Sequence, residues 1–147
     1  MTDGNQVTII GCGLMGPGIA TCAALAGHTT VLQARSTERI NRGVDAAHKN
    51  LAELHKGGLI DPVQVDTASD LLRGETNLEA AVSGSFLVIE AISENLADKQ
   101  ALFTKLDRLT AADVILTSNT SGLRITDIAG QVSRPERAAT THFWFLW

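Results

Sequence analysis

Cysteine, proline and aromatic residues are all scarce in this chain of 147 residues, which holds two Cys, three Pro, four Phe, two Trp and no Tyr. Cys12 stands in a glycine-rich turn and Cys22 in an apolar helical pattern, which is no basis for a disulfide framework, so a reducing, cytoplasmic setting is expected. Basic residues are in the minority, 12 against 16 acidic ones for a net charge of −4, and no block of like charge occurs. That balance gives nucleic acid or an anionic membrane surface nothing to hold. No run approaches the roughly 18 unbroken apolar residues of a membrane-spanning helix. The opening MTDGNQ also lacks the positive and apolar regions of a secretory signal. With 44% hydrophobic residues, the chain reads as one domain able to bury roughly 70% of its unfolded surface.

Short β-branched runs alternate with helical patterns. Gln6 to Ile10 reads as a strand ending at Gly11, Leu14 to Ala26 as a helix, and Thr29 to Leu32 as a second strand. Ile40, Val44, Ala47, Leu51 and Leu54 recur at steps of four and three, one face of a long helix from Ser36 or Thr37 to Gly57-Gly58. A weaker helix from Asp61-Pro62 to Leu71 precedes a strand at Leu72–Thr76 and a small helix at Asn77–Val82. Phe86–Ala91 and Val114–Ser118 read as buried strands around a helix at Leu96–Leu109. A short helix at Ile125–Ala129 and a strand at Ala138–Phe143 complete the series. Each crossover helix must pack back onto the sheet, so the pattern predicts a doubly wound, mostly parallel α/β sheet of the Rossmann kind.

Between the first strand and first helix stands VTIIGCGLMGPGIA, which puts Gly11, Gly13 and Gly16 at the spacing of a dinucleotide-binding turn. Gly11 permits the tight turn, Gly13 lets the backbone approach a pyrophosphate, and Gly16 lets helix and strand pack closely. The helix N-terminus then offers unpaired N–H groups and a partial positive charge to the phosphates. A tight βα turn with no ligand is the plainer alternative, but the position directly after the first strand favours a dinucleotide.

An acid is expected at the end of the second strand, where it would accept hydrogen bonds from the adenosine ribose. This chain has Ala34 and Arg35 there, followed by Ser36 and Thr37, with no acid before Glu38. A carboxylate about 4 Å from a ribose phosphate would cost about 4 kcal/mol at an effective dielectric of 20, whereas Arg35 would attract it. NADP is therefore favoured at this point, unless Arg35 is simply a solvated residue.

VTIIGCGLMGPGIA, VIEAISENLADKQALFTKLD, SNTSGLRITDIA and RPERAATTHFW together resemble the N-terminal domain of the 3-hydroxyacyl-CoA dehydrogenase family, enzymes of fatty acid β-oxidation. The resemblance implies an oxidoreductase that moves a hydride between the 3-hydroxyl carbon of an acyl-CoA and NAD. Gly11, Cys12, Gly13, Leu14, Met15 and Gly16 would hold the cofactor, with Ala34, Arg35, Ser36, Glu94, Lys99 and Asn119 also touching it. Ser121 would lie beside both nicotinamide and substrate, His142 would be the catalytic base, and Lys56 would meet the CoA moiety. No metal is implied. The family's ribose aspartate falls on Ala34, which leaves NAD and NADP both open. Phe145 and Leu146 stand where the family has Asn-Pro, so the chain reads as one dinucleotide-binding domain over 1–147, cut after the histidine and lacking the helical C-terminal domain.

The chemistry suits the residues independently. Removing a hydride from a secondary alcohol needs a base for the hydroxyl proton, and an imidazole ordinarily titrates close to neutral pH. Of four histidines, His28 falls in a turn and His48 and His55 on the long helix; only His142 follows a strand, where ligands of open parallel sheets bind. Thr120 or Ser121 has a second reading as a cap of the following short helix. Glu90 or Glu94 should meet a polar ligand, because a carboxylate at a strand end is costly when unpaired, although a solvated Glu94 is the alternative. Lys99 also reads as a helix-surface charge. A dehydrogenase of a free 3-hydroxy acid and a dinucleotide-binding module without chemistry are the competing functions. The terminal THFWFLW is expected to pack on the sheet edge or on a second copy of the chain, because each aromatic buries roughly 150 to 250 Å².

Overall fold

In the computed structural model, which describes residues 4–144, six parallel strands form one sheet. The strands are β1 (Gln6–Ile10), β2 (Thr29–Gln33), β3 (Leu72–Glu75), β4 (Ser85–Glu90), β5 (Ile115–Ser118) and β6 (Ala138–Thr140), in the order β3-β2-β1-β4-β5-β6. The order reverses direction between β1 and β4, and the carboxyl ends of these strands open a crevice there.

The helices are α1 (Gly16–Leu25), α2 (Thr37–Lys56), α3 (Pro62–Asp70), α4 (Leu78–Val82), α5 (Leu96–Leu109) and α6 (Ile125–Ile128). Successive side chains of a strand face opposite ways, so Ile9 and Ile10 enter different cores. Ile9 joins Ile19, Leu32, Ala47, Leu51 and Ala68 under α1 to α3. Ile10 joins Val88, Phe103, Leu106, Leu116 and Ile128 under α5 and α6. Two cores on one sheet make it doubly wound, as the strand-helix alternation predicts.

The long helix follows its apolar stripe: Ile40, Ala47 and Leu51 are buried. Ser36 caps its first turn by accepting from the Arg39 N–H, an interaction typically worth about 1 kcal/mol, and Gly57 follows its last residue. In α3, Asp61 and Gln64 form the reciprocal capping pair that an Asp-Pro start permits. Among the described residues no helix is long and apolar enough to cross a membrane.

Three expectations need correction. The first helix starts at Gly16, not Leu14, so Leu14 and Met15 belong to the turn and Leu14 is exposed. The last strand ends at Thr140 because β5 ends at Ser118; one more backbone bond, Thr141 N–H to the Ser118 carbonyl, closes the ladder. A 3-10 turn at Pro135–Arg137 also precedes β6, where proline sets the first position. Of the terminal aromatic run, Phe143 packs on the first core, but Trp144 is 75% exposed and Phe145–Trp147 lie outside the described residues.

Candidate active site

The glycine turn is shaped by contacts that leave no room for side chains. Gly11 has φ +115°, and a Cβ there would lie 2.5 Å from the Ala91 carbonyl oxygen. Gly11 N–H donates to the Gln33 carbonyl (2.9 Å) and Ala91 N–H to that of Ile10 (2.8 Å), tying the ends of β1, β2 and β4 together. A Cβ on Gly16 would strike the Gly11 carbonyl, so the helix cannot approach the strand this closely with any other residue. Gly13 is different: it is exposed and a Cβ there would meet nothing within 4 Å. The fold itself therefore does not require a glycine here, and its backbone is open to the outside. The cap residue of α1, Met15, makes no side-chain bond to the first turn, which leaves helix N–H groups for an anion. These features fit the pyrophosphate of a dinucleotide.

Behind the turn lies a contact that the sequence reading missed. A Cβ on Gly43 of α2 would come within 2.9 and 3.0 Å of Cys12 Cβ and Sγ, so this glycine seats the helix against the turn. A glycine inside a helical pattern is the available signal. Burial pushes the Cys12 thiol up from its ordinary value and the Arg39 guanidinium partly opposes that rise, which places a second cation near the turn besides Arg35. Ala34 is buried, whereas Arg35, Ser36 and Thr37 are exposed at the end of β2. Ser36 already accepts from a backbone N–H, and Glu38 pairs along the helix with Arg42 at 3.5 Å.

Ser121 and His142 meet at the same rim: Ser121 Oγ and His142 Nε2 lie 3.0 Å apart at the surface. Each is held from behind. Asn119 Oδ1 accepts from Phe143 N–H (2.7 Å), fixing the backbone beside His142. Glu94 Oε1 accepts from the Thr120 hydroxyl (2.5 Å) and from the Ser121 and Gly122 N–H groups (3.1 and 3.0 Å). Desolvation alone would raise the Glu94 carboxyl; the Thr120 hydroxyl, Gly122 N–H, Lys99 and Ser121 N–H outweigh it and hold the value at about 2. Thr120 also accepts from the Leu123 N–H, which closes the loop ahead of α6. The cap of that helix is Arg124, without a side-chain bond, so neither Thr120 nor Ser121 caps it, and the Ser121 hydroxyl is left to His142. Trp144 lies against the His142 ring, tilted by 45° with the centroids 4.3 Å apart.

Lys99 is no surface charge. It is 1% exposed, with Nζ 2.6 Å from Glu90 Oε1 and 3.4 Å from Glu94 Oε2. Glu90 is fully buried, and its partners are protein groups rather than a ligand. Lys56 is not brought to this rim. It ends α2, whose first turn starts there, and a helix of 20 residues is about 30 Å long.

Sequence and structure comparisons agree with this fold. The family described as "3-hydroxyacyl-CoA dehydrogenase, NAD binding domain" matches residues 6–145. Mitochondrial hydroxyacyl-coenzyme A dehydrogenases of Homo sapiens and Sus scrofa are 36% and 40% identical over 95% of this chain and 46% of their own length. The chain thus spans about half the length of these curated relatives. The crystal structure of 3-hydroxybutyryl-CoA dehydrogenase from Escherichia coli K12 superposes with a TM-score of 0.91 at 37% identity, over 97% of this chain and 30% of that one. The cytoplasmic setting expected above is overturned by the mitochondrial relatives. Cys12 and Cys22 are free, and two free thiols do not single out a compartment.

Proposed function

Since the chain belongs to the 3-hydroxyacyl-CoA dehydrogenase family, as its NAD(P)-binding N-terminal domain, we propose that its rim serves hydride transfer at the 3-hydroxyl carbon of an acyl-CoA or a related 3-hydroxy acid. The observation that carries this reading is the pair Ser121 Oγ and His142 Nε2, 3.0 Å apart at the strand ends that also carry the glycine turn. A bound nicotinamide supplies the hydride acceptor. His142 Nε2 takes the hydroxyl proton, and Ser121 Oγ hydrogen-bonds the substrate oxygen and keeps it in line with the imidazole. The backbone at Gly13 and the first turn of α1 bind the pyrophosphate. Lys56 is left to the distant nucleotide end of a CoA-sized substrate.

For the adenosine end, the buried Ala34 with Arg35 and Arg39 supports acceptance of a ribose phosphate, and NADP binds at least as well as NAD. Calorimetric titration with both cofactors tests this, and NAD binding tenfold tighter would sink it. This domain alone is expected to bind cofactor with little or no turnover. The chemistry is therefore tested by oxidation of 3-hydroxybutyryl-CoA, followed as reduced cofactor, by the domain joined to the C-terminal half of a full-length relative, with and without His142→Ala. Turnover unaffected by the substitution defeats the assignment of the base. Cofactor binding without turnover favours the binding-module reading instead.

A further inference from the structure

A carboxylate with no exposure at the end of a central strand needs a reason, because burying an ion costs several kcal/mol unless it is well paired. Glu90 ends β4 between β1 and β5. Its Oε1 accepts from Lys99 Nζ (2.6 Å) and Ile92 N–H (2.7 Å), and its Oε2 from the Ser118 hydroxyl (2.5 Å). One carboxylate therefore joins the loop after β4, the first turn of α5 and the end of β5. An ammonium has three protons to donate, and Lys99 has three acceptors around it: Glu90 Oε1, the Ile92 carbonyl at 3.3 Å and Glu94 Oε2 at 3.4 Å. From Glu94 the line continues through Oε1 to the N–H groups of Ser121 and Gly122. Charges of alternating sign thus run from the buried end of the sheet to the backbone of the serine that faces His142.

We infer that Glu90 and Lys99 are positioning residues for Ser121, acting through Glu94. A well-packed apolar pair of the same volume would stabilise the fold as well or better, so stability alone does not account for two buried charges here. What the pair adds is a fixed place for the Glu94 carboxylate. Only a held carboxylate can keep the turn over Thr120 to Gly122 set, and with it the Ser121 hydroxyl. The assignment deepens the reading of Ser121 as the residue on the substrate oxygen and rests on it for its importance.

The test is amide hydrogen exchange, read by NMR on the 147-residue chain. The double substitution Glu90→Gln with Lys99→Met removes both buried charges and leaves neither unpaired. Exchange of the Ser121 and Gly122 amides is expected to speed up about tenfold or more, the loss of roughly one hydrogen bond's net stabilisation. The Ser133 amide, which donates to the Asp107 carboxylate elsewhere in the fold, is the internal control. Should the double variant fail to fold, Glu90→Gln alone keeps Lys99 paired with Glu94. The Ser121 and Gly122 amide shifts should then move more than that of Ser133. If Ser121 and Gly122 change no more than Ser133, the pair merely fills space and the inference is overturned. None of these readings requires cofactor binding or turnover, so their failure is distinguishable from failure of the proposed activity.

Discussion

Two carboxylates at opposite ends of α5 do similar chemistry in different surroundings. Glu94 lies just before the helix, at the rim with Ser121 and His142; Asp107 lies in its last turn, beside the residues that lead into β6 at the opposite end of the strands. Each accepts from a hydroxyl and from backbone N–H, and each is held at about 2 although desolvation alone would raise it. Asp107 is closed in: Ser133 donates through N–H (2.8 Å) and hydroxyl (2.6 Å), and Arg137 Nη2 through a 2.8 Å bond. The guanidinium also donates to the Asp107, Ala111 and Val114 carbonyls and to the Thr110 hydroxyl, fastening the start of β6 to the end of α5. Glu94 is 44% exposed, and its cation is a lysine shared with Glu90. The same bonds thus make a latch where the surroundings are dry and a loop holder where they are wet.

Breaking the latch should have the largest effect. Arg137→Ala leaves the buried Asp107 with only the partly exposed Arg134, 3.7 Å away, and should cost about 3 kcal/mol in denaturant unfolding, as for a broken buried pair. A loss below 1 kcal/mol would show that water replaces the guanidinium and that the latch is no latch.

Acid should weaken both sites in the same direction. A depressed carboxyl contributes stability that is fully present above its unfolded value, near 4, and is lost as pH falls through the folded value of about 2. For the buried Asp107 this is on the order of 2 kcal/mol between about pH 4 and pH 2. For the exposed Glu94 the direction is the same and solvent screening makes the effect smaller. Unfolding free energies measured across that window should therefore show a shallower acid slope for Asp107→Asn than for Glu94→Gln. The reverse order would invert the comparison.

Glu94→Gln should have the smallest effect on stability, within about 1 kcal/mol for a half-exposed group. Its consequence should appear in the site, as lost exchange protection at Ser121 and Gly122 with Ser133 unchanged. Equal protection in both proteins would mean that the turn stands without its clamp.

The sequence showed the sheet, the winding and the ligand-facing rim clearly, because strand runs and the stripe from Ile40 to Leu51 depend on local periodicity. It also assigned Ser121 and His142 to one site, through the resemblance to the family rather than through any local pattern. The fates of Lys99 and Glu90 were hidden: a helical lysine reads as surface until the strand beneath it is known to carry a buried carboxylate. The Gly43 contact with Cys12 was only half legible: a glycine inside a helix signals a close approach, but its partner lies on another element. Where the last strand stops depended on the length of its neighbour, β5, and so was not written in the strand's own residues.

That the rim is a dinucleotide site is tested most directly at Gly13, where a side chain has space in the fold yet would stand in the place proposed for the pyrophosphate. NADH fluorescence titration of Gly13→Asp should show affinity lost by about 100-fold or more, since a carboxylate about 4 Å from a phosphate costs about 4 kcal/mol at an effective dielectric of 20. Thermal unfolding of the same variant should stay close to that of the unaltered chain. Undiminished NADH binding by Gly13→Asp would contradict the account.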